Sequence, residues 1–270
     1  MSTLAEEKLR AREQWSQDPC GAEYEREHEL GTREFFDSVE RHRYTEYAPW
    51  MPRLMEFDNF RGKRLLEIGC GMGTDLLQFA RGGAYCTGID LTPRSVQITR
   101  HQFALYGADG KFMISDGERL PFRSETFDVV YSNGVLHHTP DTAGAIRELH
   151  RVLRPGGIAK VMLYHRNSLN YWVEIILRRG LLGGEFLRGR SAEEIMSRVI
   201  EFSDHDARPL VKVYSKKEVR ELFGAFQSVV IDVEQLTREE LRFLSPLVSE
   251  AMLDRLRKYV GWNVIVTATR

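Results

Sequence analysis

The stretch LLEIGCGMGTD, residues 65–75, limits what this 270-residue chain can fold into more than any other part of it. A short apolar run, Leu65, Leu66 and Ile68, leads into glycines at alternate positions, Gly69, Gly71 and Gly73, and then into the helix-patterned TDLLQFARGG of 74–83. Glycines at a strand-to-helix turn allow a ligand to approach the backbone, and the first turn of the helix offers unpaired N–H groups to it. The spacing is not the dinucleotide fingerprint G-x-G-x-x-G, whose third glycine would fall at position 74, a threonine. It is E-x-G-x-G-x-G, with Glu67 at the end of the strand.

The remainder of the chain repeats the same alternation. Six further strands are expected at AYCTGID (84–90), GKFMIS (110–115), TFDVVYSN (126–133), GIAKVMLYH (157–165), QSVVIDVEQL (227–236) and GWNVIVTATR (261–270), with KRLLEIG (63–69) as the first. Helical periods separate them at 92–107, capped by Thr92 with Pro93 in its first turn, at 142–153 before RPGG, at 215–226, and at 237–260 with Pro246 interrupting. Strands alternating with helices imply βαβ units and a mainly parallel sheet. Residues 1–60, charged with interspersed aromatics, are expected to form a helical cap on a domain of 61–270 that carries an insertion or lid at about 166–214.

Composition excludes several classes. A formal net charge of −1 leaves no general basic footprint for nucleic acid. Cys20, Cys70 and Cys86 are odd in number and never form C-x-x-C, so neither a disulfide framework nor a zinc site is expected, and a cytoplasmic setting fits. No stretch approaches the ~20 apolar residues of a membrane span, and the charged N-terminus lacks an apolar signal core.

Other landmarks stand at the ends of successive strands. Asp90 closes the second strand in GIDLTP, where a carboxylate can accept two hydrogen bonds from a ribose diol. Asp116 follows the third strand in SDGERLPF, FDVVYSNGVLHHTPD covers the fourth, and ELHRVLRPGG leads into the fifth. With the glycine turn, these motifs over about residues 60–165 resemble the class I S-adenosylmethionine (SAM) dependent methyltransferases, most of all the small-molecule branch that includes ubiquinone and menaquinone methyltransferase-like proteins. The resemblance implies an α/β, Rossmann-like seven-stranded sheet of order 3-2-1-4-5-7-6 with the last strand antiparallel and helices on both faces. It implies SAM as cofactor, leaving S-adenosylhomocysteine, held by Glu67, Gly69, Cys70, Gly71, Gly73, Asp90, Leu91, Asp116, Gly117, Glu118, Asn133 and His138. The implied reaction is methyl transfer to an O, N, S or C atom of a small molecule. A SAM-binding protein without catalysis, or a regulatory partner subunit, is the alternative. Nucleic-acid methylation is disfavoured, because the position of [DN]-P-P-[FY] after the fourth strand reads SNGV.

The acceptor has to be held by parts outside the shared core. Arg43, Tyr44 and Tyr47 precede the first strand. Arg166, Asn170 and Tyr171, with Tyr164 and His165, crowd the end of the fifth, and Arg208, Lys212 and Tyr214 could meet an anionic acceptor. His137, His138, Tyr164 and His165 are the candidate catalytic groups. No metal is expected, since adjacent imidazoles point in different directions and no third ligand is spaced to join them. YWVEIILRRGLL (171–182) has amphipathic helical spacing with Trp172, Ile175, Ile176 and Leu182 to one side, as a lid, a packing element or an entry for an apolar substrate. The helix of 237–260 has enough apolar residues to pack inward or to cover a second copy of the chain.

Overall fold

The computed structural model describes residues 4–17, 19–199 and 209–270. Seven strands, β1 (Arg64–Ile68), β2 (Tyr85–Asp90), β3 (Gly110–Ile114), β4 (Phe127–Asn133), β5 (Leu153–Tyr164), β6 (Ser228–Glu234) and β7 (Asn263–Thr269), join in one sheet. Their order is β3-β2-β1-β4-β5-β7-β6. The first five pair in parallel, and β7 runs antiparallel between β5 and β6. The order implied by the resemblance is the observed one. Because the chain runs outward from β1 to β3 and then returns to β4, the sheet reverses between β1 and β4. A crevice opens at the C-terminal ends of those strands, which is where ligands bind in open α/β sheets.

The strands β1, β2 and β4 are buried on both faces, and the sheet's side chains sort by alternation. Leu66, Ile68, Val130, Val161 and Leu163 face α6 (Thr142–Val152) through Ala145, Ile146 and Leu149. Leu65, Val129 and Tyr131 face α4 (Thr74–Arg81) through Leu76, Leu77 and Phe79. Consecutive apolar residues in β1 thus serve two cores, as expected of a central parallel strand. Capping sets the helix starts: the Thr92 hydroxyl accepts from the Ser95 N–H (3.2 Å) ahead of α5 (Pro93–Leu105), and Asp141 accepts from Gly144 N–H (2.8 Å) ahead of α6. RPGG does not end the helix in a free turn. Leu153 pairs with Phe127, the register shifts before Val129, and Gly156 at φ 74° lets the extended strand bend, so β5 starts at Leu153.

The N-terminal segment forms α1 (Leu4–Gln17), α2 (Arg33–Arg41), a π-helix (His42–Tyr47) and α3 (Met51–Met55). Trp50, Met51, Met55 and Phe57 enter the same cluster as Leu65, Phe79 and Tyr131. After β5, a second π-helix (Asn170–Leu182) and α7 (Ala192–Val199) build a satellite core of Ile175, Ile195, Met196, Val211, Val213 and Trp262. The amphipathic face expected for 171–182 is corrected here. Ile175 is fully buried while Trp172 and Leu182 are 54% and 77% exposed, because the segment winds with i→i+5 hydrogen bonds and separates them. Near the C-terminus α8 (Lys216–Leu222) precedes β6. Pro246 then lies in a 3-10 turn between α9 (Arg238–Leu241) and α10 (Glu250–Val260), splitting the helix as expected.

Candidate active site

At the β1–α4 turn, Gly69, Gly71 and Gly73 all have positive φ, 76°, 54° and 90°. A Cβ on Gly69 would lie 2.3 Å from Val135, whereas one on Gly71 would meet nothing within 4 Å and would stand in the open cavity. Asp90, buried at the end of β2, holds this turn. One carboxylate oxygen accepts the Gly71 N–H (3.0 Å), and the other accepts the Thr92 N–H (2.9 Å) and hydroxyl (3.0 Å). Burial raises its pKa against the pull of these bonds. The oxygen facing Gly71 retains a lone pair for a further donor.

Glu67 is 3% exposed and its Oε2 has no partner among the described residues. Burial first, then the neighbouring Asp75 and Asp90 charges, hold its carboxyl well above the usual range despite Arg43. Asn133, at the end of β4, likewise leaves a buried Oδ1 without a partner. Cys70, Leu91, Asp116 and Gly117 complete this side of the cavity. The Cys70 thiol, pushed up by burial, receives the Thr99 hydroxyl at 3.6 Å.

The cap closes the opposite side. Lys8 of α1 donates to Asp116 (2.6 Å) and contacts Glu118, whose other oxygen accepts the Asp141 N–H (2.7 Å). Burial opposes the Lys8 charge, but the two carboxylates outweigh it and raise its pKa. Trp15 packs against His138 with ring centroids 5.6 Å apart. Arg43 donates from Nε and Nη2 to Asp75 at 2.7 and 2.6 Å, and Tyr44 (2.6 Å) and Tyr131 (2.7 Å) add their hydroxyls to the same carboxylate. Asp75 is buried in the first turn of α4, where the helix dipole also favours an anion. Burial works to raise its pKa, yet Arg43 and the hydroxyls bring it below the ordinary value.

His138 lines the cavity. Its Nδ1 lies 2.7 Å from the Leu210 carbonyl, so in the neutral ring that nitrogen carries the hydrogen and Nε2 the lone pair. His137 does not line the cavity. It is fully buried, stacks on Tyr164 at 3.8 Å between centroids, and has neither ring nitrogen paired among the described residues. Burial, then His138, keeps its pKa well below the usual histidine value, so it stays neutral and supports Tyr164, which does line the cavity.

Several expected contacts are relocated. His165 is buried with Nδ1 on the Gly261 carbonyl (3.0 Å), away from the cavity, because β7 covers that end of β5. Arg166 pairs with Glu218 (2.8 Å), Lys212 donates to the Thr139 (2.9 Å) and Pro140 (2.7 Å) carbonyls, and Tyr214 donates to Thr142 (2.9 Å). These groups pin the 137–142 loop and the following connection rather than an acceptor. Asn170 and Tyr171 belong to the π-helix and satellite core. Tyr44 is engaged by Asp75, while Arg43 and Tyr47 line the cavity. Arg208 lies outside the described residues. Lys8, Trp15, Trp50, Asp75, Met162 and Asn263 carried no sequence signal, yet all reach the cavity. Only Asp75, immediately after the glycine turn at the helix start, had a position that could have flagged it. Among the described residues no group of three or more His, Cys, Asp or Glu is placed to hold a metal.

Residues 66–161 match the family model described as "Methyltransferase domain". A phthiotriol/phenolphthiotriol dimycocerosates methyltransferase of Mycobacterium ulcerans is 37% identical over 155 residues, 56% of this chain and 55% of that protein. A ubiquinone biosynthesis O-methyltransferase of Methylocella silvestris is 31% identical over 150 residues, 54% of this chain and 57% of that protein. The chain thus spans about half the length of these curated relatives. A crystal structure of an S-adenosylmethionine dependent methyltransferase from Mesorhizobium loti superposes with a TM-score of 0.56 at 18% identity, covering 82% of this chain and 97% of that one, and shares the fold. The match begins in β1 and ends in β5, so the segment similar to methyltransferase domains contains the glycine turn, Asp90, Asp116 and both adjacent histidines, and it lies within the seven-stranded Rossmann-like sheet.

Proposed function

We propose that this chain is a SAM-dependent methyltransferase whose acceptor is a neutral small molecule. The observation that carries the reading is the continuity of one cavity from the Gly69–Gly73 turn and Asp90 to an aromatic end formed by Tyr47, Trp50, Met162, Tyr164 and His138. The cofactor fits the residues present. Gly71 leaves open the space a Cβ would fill, Glu67 offers a buried unpartnered oxygen to an ammonium group, Asp90 has capacity for a hydroxyl, and Asp116 lines the same cavity. An ammonium beside Glu67 would also favour its ionised form, reversing the effect of burial. When bound, SAM supplies an activated methyl group on a sulfonium.

The chain's own residues orient, enclose and accept a proton. The Lys8 contacts and the Arg43–Asp75 pair hold the cap over the cavity and keep water out, which favours the aligned approach of acceptor and methyl. His138, with Nδ1–H fixed on Leu210, presents Nε2 as the group that takes the acceptor's proton. The cations that line the cavity are held by carboxylates, Lys8 by Asp116 and Glu118 and Arg43 by Asp75, and Arg166 and Lys212 are held elsewhere, which supports an uncharged acceptor. The buried thiols of Cys70 and Cys86, which form no disulfide, fit a reducing cytoplasm.

Titration calorimetry with S-adenosylhomocysteine, followed by transfer of labelled methyl across a panel of neutral and anionic metabolites, tests this. Binding is expected, with transfer to uncharged acceptors; no binding refutes the assignment, and binding without transfer to any acceptor leaves the non-catalytic reading in its place. His138→Ala should lower kcat far more than it weakens S-adenosylhomocysteine binding. Equal losses would make it only a wall of the cavity.

A further inference from the structure

The π-helix Asn170–Leu182 presents a face that methyl transfer does not use. Its i→i+5 bonding gives about 4.4 residues per turn instead of 3.6, so side chains five and nine positions apart fall on one side, within about 50° and about 20° of alignment. Trp172, Leu177 and Leu181 have that spacing and are 54%, 45% and 58% exposed; Leu182 beside them is 77% exposed, and Leu187, just beyond, 92%. In an α-helix Leu177 and Leu181 would lie about 140° and 180° around the axis from Trp172, and no stripe would form. The opposite side, Tyr171, Ile175 and Gly180, packs inward, Tyr171 and Ile175 joining the cluster that contains Tyr164 of the cavity wall.

A contiguous exposed apolar patch on a domain surface marks an interaction site. Its charge indicates the partner. Residues 170–190 hold four arginines, 178, 179, 188 and 190, against two glutamates, 174 and 185, each glutamate contacting two of the arginines. An aromatic and leucine stripe flanked by a basic excess is the composition of a helix that lies in a membrane interface, and among the described residues no helix is long and apolar enough to cross one. We propose that this face docks on an anionic lipid bilayer, with Trp172, Leu177, Leu181 and Leu182 at the boundary of headgroups and acyl chains and the arginines among lipid phosphates. Docking there sets the cavity wall at Tyr164 one packing layer from the bilayer.

Flotation of the full chain with vesicles of phosphatidylcholine alone and of phosphatidylcholine mixed with phosphatidylglycerol tests the inference. Retention is expected on the mixed vesicles, weakening as salt is raised, and little on phosphatidylcholine. Trp172→Ala/Leu181→Ser/Leu182→Ser should lower retention at least tenfold with S-adenosylhomocysteine affinity unchanged; should that variant not fold, Leu182→Glu, at a largely exposed position, is expected to do the same. No retention of the wild type on mixed vesicles, or undiminished retention of the variants, overturns the proposal. So does a dimer in light scattering that the same substitutions dissociate, since the stripe would then belong to a second copy of the chain.

Discussion

Replacing Asp75 with alanine removes the acceptor of four hydrogen bonds at once, from Arg43 Nε and Nη2, Tyr44 and Tyr131. Arg43 is then left as a partly buried guanidinium without a counter-charge, and breaking a buried pair on one side costs about 3–5 kcal/mol. The stranded Tyr131 hydroxyl adds about 1–3 kcal/mol, offset where water enters beside the partly exposed Arg43, so a net loss of about 4 kcal/mol is expected. With an unfolding entropy of roughly 2.1 cal/mol/K per residue over 270 residues, that lowers Tm by about 7 °C. Urea unfolding and calorimetry at neutral pH measure it. Arg43→Leu/Asp75→Leu should cost less than the sum of its single changes, because no buried charge is left alone. The pair also has a pH signature: the folded carboxyl lies below its ordinary value, so its contribution is full above about pH 4 and is lost as pH falls through the lowered value. Since the pair joins the cap to α4, Asp75→Ala should also speed proteolysis within the cap. A loss under about 1 kcal/mol for Asp75→Ala, or strict additivity in the double variant, would refute the assignment of this cluster as the latch between cap and glycine turn.

Two further outcomes follow from the same geometry. His137 stays neutral when folded but takes a proton near pH 6.5 when unfolded, so stability falls as pH drops below 6.5. Between pH 7.5 and 5.5 this amounts to about 1.4 kcal/mol, a slope that His137→Phe should remove from thermal scans while His165 and His150 retain theirs; an unchanged slope would show the imidazole is hydrated. Gly69→Ala forces a Cβ into Val135 and should cost about 2–4 kcal/mol of stability, whereas Gly71→Ala carries only the roughly 1–2 kcal/mol of a left-handed residue but fills the cavity and should weaken S-adenosylhomocysteine binding more than it lowers Tm. Equal binding by Gly71→Ala and wild type would separate the glycine turn from the ligand.

Much of this protein is legible from local pattern. The buried run of β1, the glycines after it, Thr92 before Pro93 and the alternation of short strands with helical periods are short-range signals. Each is set by backbone conformation and by which face of one element is apolar, and together they carry the resemblance that implied the observed sheet order and proposed Gly69, Gly71, Asp90 and Asp116 for the cofactor. The tertiary structure alone decided the rest. Arg43 and Tyr44 turned from a ligand toward Asp75, Lys212 and Tyr214 were drawn to the 137–142 loop, and Lys8, Trp50 and Asn263 came to the cavity from positions up to 255 residues apart. The winding of 170–182, which divides Ile175 from Trp172, was likewise invisible in a spacing that suits an ordinary amphipathic helix. The physical reason is one of range. A turn or a cap is satisfied by neighbours in sequence, but a buried charge or an aromatic ring takes whichever partner packing brings within a few ångströms, and that is settled only when the whole chain has folded.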